Sequence, residues 1–329
     1  MKTEASTKHS STWFDSFWLG PKLLRRRCAL VFAVAFLGAG TLLFAQSVAG
    51  IAQRLTRSDP SGASSWKPLS PGNHWQWQLS GTVKEKVLDR VTGPKMYDID
   101  MEGATPELIS RLKAKDIYVV CYVESGDWNR QRPDAGDYAP EILGRTIAGF
   151  PDEKFVNINA VDGPPGPTGK TLRDIMLARL DQAQAKGCDG IEPDLDDLHN
   201  YQTGFVITQA DQVAFNTMLI DAAHARGMSM GLKNGASSTT GPRSFEQQML
   251  DAGADWALNE ECNQYNECVG YTQFIAAGKA VFQVEYLDNQ RKPYRGRSGT
   301  CATDKTANYD GIVKDSSSSL AALPLIQCR

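Results

Sequence analysis

Residues 187–197, GCDGIEPDLDD, set Glu192, Asp194, Asp196 and Asp197 directly behind an apolar, glycine-bearing lead-in of strand character. A second acidic strand end follows at 255–262, DWALNEEC, with Glu260 and Glu261 side by side. Carboxylates on two separate elements can divide the hydrolysis of a glycosidic bond. One protonates the leaving oxygen while the other attacks the sugar or activates water. Sites of that kind gather at the C-terminal ends of the strands in a β/α barrel. Other strand ends in this chain are polar too: Tyr97, Asp98 and Asp100; Tyr122 and Glu124, with Trp128 nearby; Lys233 and Asn234; Glu285 and Tyr286. A single Asp in such a place is commonly a helix N-cap. Acids at the ends of five strands ask for another reason. Glu192 and Asp194 share strand parity, so both can face a barrel mouth, whereas Glu260 and Glu261 diverge if their strand continues.

The elements that must carry these residues are visible as a pattern. Short apolar runs at 74–79, 95–100, 117–124, 190–194, 229–234, 256–260, 280–286 and 311–314 alternate with helix-spaced segments. Those segments are 105–115, 170–187, 208–227, 242–253 and 269–278, and several close on a glycine. Eight strands in this alternation predict an α/β fold, a (β/α)8 TIM barrel over residues 71–329. No glycine-rich phosphate loop follows a strand, which argues against an open nucleotide-binding sheet. Residues 125–169 read as a long irregular excursion, with one short strand at 155–159, placed to shape access to the site.

The N-terminal part has a different character. Residues 1–27 form a basic leader, and 28–49 a hydrophobic segment whose stretch 28–45 carries no charge. Its length, about 18 residues, suits a signal sequence or a short membrane span. A linker rich in Ser, Pro and Gly occupies 50–70. The basic cluster Arg25, Arg26 and Arg27 predicts that everything after it is exported, either secreted or held at the cell surface by a single span. Beyond residue 50 the chain holds 29 basic and 36 acidic residues, a net of −7 against −3 overall. That surface disfavours nucleic acid as a partner and admits a cationic polymer. Six cysteines lie outside the hydrophobic segment. Cys262 with Cys268, and Cys301 with Cys328, are expected to pair in an oxidising compartment, while Cys121 and Cys188, in strand-like runs, read more readily as buried free thiols than as a third bridge. With four histidines and no CxxC spacing, neither a metal nor an organic cofactor is expected.

The segments YDID (97–100), GCDGIEPDLDD (187–197), GLKN (231–234), ALNEEC (257–262) and VFQVEY (281–286) together resemble glycoside hydrolase family 114. Its type activity is endo-α-1,4-polygalactosaminidase. The resemblance runs in order from about Trp75 to Cys328. It implies a TIM barrel with a strand-four Asp and a strand-six Glu as the catalytic pair, which fall on Asp194 as nucleophile and Glu260 as acid/base. The family usually has another residue after the first Glu, which favours Glu260 over Glu261. The reaction implied is retaining, endo-acting hydrolysis of a cationic galactosamine polymer. Glu192 then tunes Asp194 or binds hydroxyls, and Asp98, Asp100 and Glu124 take the sugar amine. Tyr122, Trp128 and Tyr286 offer stacking faces, unless they are simply core. Lys233 orients Asp194, or else forms a structural ion pair, and Tyr97, Asp197, Asn234 and Glu285 complete the substrate surface. The segment VESGDW around Glu124 departs from the family's small-residue version. Two alternatives remain: a membrane-tethered carbohydrate-binding protein without activity, and a glycosidase of another sugar specificity on the same barrel.

Overall fold

The structure, a computed structural model, describes residues 66–235, 240–287, 299, 301–315 and 320–329. The leader 1–27, the hydrophobic segment 28–49 and the linker up to residue 65 lie outside the described residues. Among those described, no helix is long and apolar enough to cross a membrane.

Eight parallel strands pair in sequence order: β1 (His74–Gln78), β2 (Lys95–Asp100), β3 (Ile117–Glu124), β4 (Gly190–Asp194), β5 (Ser229–Lys233), β6 (Trp256–Glu260), β7 (Val281–Tyr286) and β8 (Asp310–Lys314). Each lies within a residue of the run read from the sequence. A ninth strand, Ile326–Gln327, adds to β8 in antiparallel fashion. Its Gln327 side chain then spans to β1, donating from Nε2 to Trp75 O at 2.7 Å and accepting from Trp75 N at 3.4 Å. The seam of this nearly closed barrel is thus bridged by a side chain and a short inserted strand. It differs in that respect from a barrel closed by eight strands alone.

Alternate residues of each strand fill the barrel interior. Trp75, Trp77 and Trp256 lie there with Met96, Tyr118, Phe282 and Ile312. Three indoles fit because small residues face them. A Cβ on Gly231 would sit 2.4 Å from the Trp256 ring. Ser229 Oγ accepts from both Trp256 Nε1 at 3.0 Å and Tyr118 OH at 2.8 Å, so the polar edges of the rings are satisfied. The intervening strand residues, Tyr97, Ile99, Val119 and Ile191 among them, join the outer core under the helices.

Helices α1 (Pro106–Lys113), α2 (Leu172–Lys186), α3 (Gln209–His224) and α4 (Phe245–Ala252) cover the strands. Thr171 with Asp174, and Thr208 with Asp211, form reciprocal capping boxes that open α2 and α3. Gly187, at φ 92°, takes the left-handed conformation that ends α2, and its N–H reaches the Ala183 and Gln184 carbonyls. Between β1 and β2 the described chain makes turns rather than a helix.

Two expectations are corrected. Residues 125–169 are not irregular: Asp127–Asn129, Leu143–Ile147 and Phe150–Val156 form a three-stranded antiparallel sheet. The strand expected at 155–159 ends at Val156, because the Asn157 side chain accepts from Asn159 N and turns the chain into a short 3-10 helix. Cys121 and Cys188 are not free thiols but a disulfide, with Cα atoms 6.0 Å apart. Cys121 points into the outer layer, where Cys188 enters β4 from the end of α2. Cys262–Cys268 and Cys301–Cys328 are also bonded, the second holding the C-terminal strand to the body.

Candidate active site

The ends of β4, β5 and β6 converge on one buried ammonium. Lys233 Nζ lies 2.8 Å from Glu192 Oε1, 3.3 Å from Asp194 Oδ1 and 3.4 Å from Glu260 Oε2. It also sits 4.5 Å from the centroid of the Trp77 ring, whose Nε1 donates to Glu192 Oε2 at 2.9 Å. Burial alone pulls the Lys233 pKa down, but the charges of Glu192, Glu260 and Asp194 outweigh it and hold the pKa well above the ordinary lysine value. Burial raises Glu192 in turn, against the pull of Lys233. Exposure separates the roles. The Glu192 and Lys233 side chains are 0% and 3% exposed, while Asp194 and Glu260 are 26% and 25% exposed. Only the latter pair can meet a substrate.

Each exposed carboxylate is oriented by a phenol. Tyr122 OH donates to Asp194 Oδ2 at 2.6 Å, and Tyr286 OH to Glu260 Oε1 at 2.5 Å. Burial first, and then the neighbouring carboxylates, push both phenols well above their usual pKa, so they remain donors. Asn234 grips Glu260 twice, donating from Nδ2 to Oε2 at 2.9 Å and accepting from the Glu260 N–H at 2.9 Å. Backbone geometry sets the aim. Leu195, Asn234 and Glu261, the residues directly after β4, β5 and β6, take φ of 54°, 52° and 59°. Left-handed backbone costs an L-residue roughly 1–2 kcal/mol, and here it turns the chain away immediately beyond Asp194, Lys233 and Glu260. Glu261 therefore belongs to the turn that opens the Cys262–Tyr265 helix, not to the strand.

The other residues expected at the substrate surface, Asp98 apart, have partners within the protein. Tyr122 and Tyr286, expected as stacking faces, spend their hydroxyls as donors to the pair. Asp98 is 0% exposed and neither of its oxygens meets a donor; burial and the adjacent Glu192 hold it well above the carboxylate range. It lies in the floor beneath the pair, beside Glu192. Asp100 and Glu124 share Arg132, at 2.8 Å each. Asp197 is buried, accepts from Asn200 Nδ2 at 3.5 Å and is pushed by burial to about 7. Tyr97 faces the outer layer and donates to Gln78 Oε1 at 2.6 Å. Glu285 lies on the same side of β7 as Gln283, accepting from Asn263 N at 3.1 Å and Gln283 Nε2 at 2.6 Å, and burial pushes it to about 7. Trp128 pairs across the small sheet with Lys154, on the face opposite Asp127 and Asn129, and its Nε1 is spent on Ala135 O.

Three residues escaped the sequence reading. Trp77 was signalled by the alternation HWQWQ at the end of β1. Arg132 had only an indirect signal, because two acids this buried require a cation. Tyr201, 42% exposed in the loop after β4, had none. Its ring lies 5.6 Å from that of Phe155, and the charges of Asp197, Asp194 and Glu260 help raise its phenol, which puts it at the mouth.

Residues 56–324 match the glycoside-hydrolase family GH114. The structure of Ega3 from Aspergillus fumigatus in complex with galactosamine is similar, with a TM-score of 0.68 and 31% identity over 81% of this chain and 98% of that one. The glycoside hydrolase domain of PelA from Pseudomonas aeruginosa shares the fold, with a TM-score of 0.55 and 13% identity over 79% and 98%. Among curated proteins, nothing matches.

Proposed function

Because this chain belongs to glycoside hydrolase family GH114, we propose that it hydrolyses α-1,4 linkages inside galactosamine-containing polysaccharide, with retention of configuration. One observation carries the reading: two partly exposed carboxylates, Asp194 and Glu260, are anchored to the same buried ammonium. Their oxygens lie 3.3 and 3.4 Å from one nitrogen, so these two are separated by at most about 6.7 Å, a ceiling that admits the ~5–5.5 Å of retaining enzymes and leaves out most of the ~6.5–9.5 Å range of inverting ones.

In the first step an Asp194 oxygen attacks the anomeric carbon and the bond to the leaving sugar oxygen breaks. Glu260 gives that oxygen its proton. In the second step the Glu260 carboxylate takes a proton from water, whose oxygen displaces Asp194 and frees the sugar. Tyr286 and Asn234 keep the Glu260 carboxyl aimed throughout, and Tyr122 does the same for Asp194. The sugar class is supported by the galactosamine complex of Ega3 and by the acidic exported part of this chain. Three disulfides among the described residues support export into an oxidising compartment, as the basic leader does.

The test is product analysis. Purified protein is incubated with α-1,4-linked galactosamine oligomers, free and N-acetylated, and fragment lengths are read by mass spectrometry. Internal cleavage is the expected result. Binding without cleavage would favour a carbohydrate-binding protein, and neither would leave the substrate assignment wrong.

A further inference from the structure

Between the loop after β4 and the start of α4 lies a cleft that the two-carboxylate reaction does not use. Its volume is about 460 Å³, within the ~300–1,000 Å³ usual for small-molecule sites. His199 and Asn200 line it from the loop after β4, and Pro242 and Arg243 from the segment ahead of α4. Gln209, the first residue of α3, and Phe245, the first of α4, complete it. The cleft begins one residue from the reacting groups, because Gly235 also lines it and directly follows Asn234, which grips Glu260.

No carboxylate lines this cleft among the described residues. The acids nearest in the chain are turned to protein donors. Asp197 accepts from Asn200 Nδ2 at 3.5 Å, and Asp211 from Thr208 N at 2.8 Å and Thr208 Oγ1 at 2.7 Å. Arg243 is the charged residue of the lining. Its carbonyl accepts from Gln209 Nε2 at 3.1 Å and Gln248 Nε2 at 3.2 Å, which pins its backbone. Its exposed guanidinium makes no hydrogen bond or ion pair among the described residues.

We propose that this cleft is a subsite for an N-acetylated sugar residue of the chain being cut, with the acetamido oxygen bound by the Arg243 guanidinium and the methyl group set against Pro242 and Phe245. The inference rests on the hydrolase reading above for its polymer and adds which residues of that polymer are selected. A free amine is cationic near neutral pH. It would bring a like charge to Arg243 with no carboxylate in the lining to offset it. Acetylation removes that charge and supplies an acceptor for a guanidinium, which has donors only. Asn200, with its Nδ2 on Asp197, keeps Oδ1 to accept the acetamido N–H. An anionic sugar would want a second cation. Burial holds His199 below its ordinary pKa, so it stays uncharged near neutral pH and does not provide one. Cleavage is thereby directed to bonds that have an acetylated residue at a fixed distance.

The test compares wild type with Arg243→Ala, an exposed position, using melting curves to establish that the variant is folded. Both are given two pools of α-1,4-linked galactosamine oligomers, one fully de-N-acetylated and one randomly part-acetylated. Products are sequenced by tandem mass spectrometry, and kcat/KM is measured on each pool. Wild type is expected to enrich an N-acetylated residue at one fixed distance from the cut. Arg243→Ala is expected to lose that enrichment, and its kcat/KM on the part-acetylated pool relative to the other should fall about 10-fold. No enrichment by wild type, or the same enrichment and ratio in Arg243→Ala, would overturn the subsite and leave the hydrolase reading intact. If wild type cuts neither pool, the hydrolase reading fails and saturation-transfer NMR with N-acetylgalactosamine decides the cleft. A signal lost in Arg243→Ala would then uphold the subsite, and an equal or absent signal would overturn it.

Discussion

Replacing Lys233 by methionine keeps the length and the contact with Trp77 but removes the charge that three carboxylates share. The ammonium is 2.8–3.4 Å from its partners and 3% exposed, so its loss leaves a buried carboxylate unpaired. Breaking such a pair costs about 3–5 kcal/mol, which in a barrel of this size lowers Tm by roughly 6–20 °C. The penalty has a definite pH dependence. Lys233 titrates above its ordinary value, so the stability it gives the wild type is fully present across pH 5–8. In the variant, Glu192 is raised by burial without opposition. The folded state then binds more protons than the unfolded one above the ordinary glutamate value of 4.5, and stability falls as pH rises. Melting curves of both proteins at pH 5 and pH 8 are expected to differ least at pH 5 and most at pH 8. Equal melting at both values, or a penalty that shrinks as pH rises, would refute the assignment of Lys233 as the anchor of the acid cluster.

Three further outcomes are expected. Tyr286→Phe removes the donor 2.5 Å from Glu260; a hydrogen bond to a charged group is worth about 1.5–3 kcal/mol, so kcat should fall about 10- to 150-fold in steady-state assays with Tm nearly unchanged. Opening Cys121–Cys188 by a double serine substitution releases a 67-residue loop, a loss of about 4 kcal/mol on chain entropy, which differential scanning calorimetry would register as a drop of roughly 8–16 °C. Glu153, Asp197 and Glu285 are raised by burial to about 7 and Asp304 to about 8. Their folded state binds more protons than the unfolded state between about pH 4 and 8, so Tm should decline over that window, and Asp304→Asn should flatten the decline.

The barrel was legible because its strands are buried on both faces and so read as short runs rich in apolar residues, polar at their ends, between glycine-punctuated helices. The small sheet at 127–156 was not. Its strand Phe150–Val156 begins with exposed residues and carries Asp152, Glu153 and Lys154 in succession, so no alternation marks it. Asp194 and Lys233 could be read as inward-facing from parity. The choice of Glu260 over Glu261 could not, because it depends on a left-handed turn at a glutamate, which neither spacing nor composition encodes. Parity was also a signal left unused: Tyr97 and Glu285 stand beside inward residues and so face the other way. The Cys121–Cys188 bridge ranked below free thiols because each half looks like an ordinary buried strand residue.

The most direct measurement is the turnover of galactosamine oligomers by Asp194→Asn, Glu260→Gln and Glu261→Gln beside wild type, with melting curves to establish that each is folded. Loss of roughly 10²–10⁴-fold in kcat in the first two, with Glu261→Gln close to wild type, is the predicted result. Retained turnover in Asp194→Asn or Glu260→Gln, or its loss in Glu261→Gln instead, would contradict the assignment of the catalytic pair.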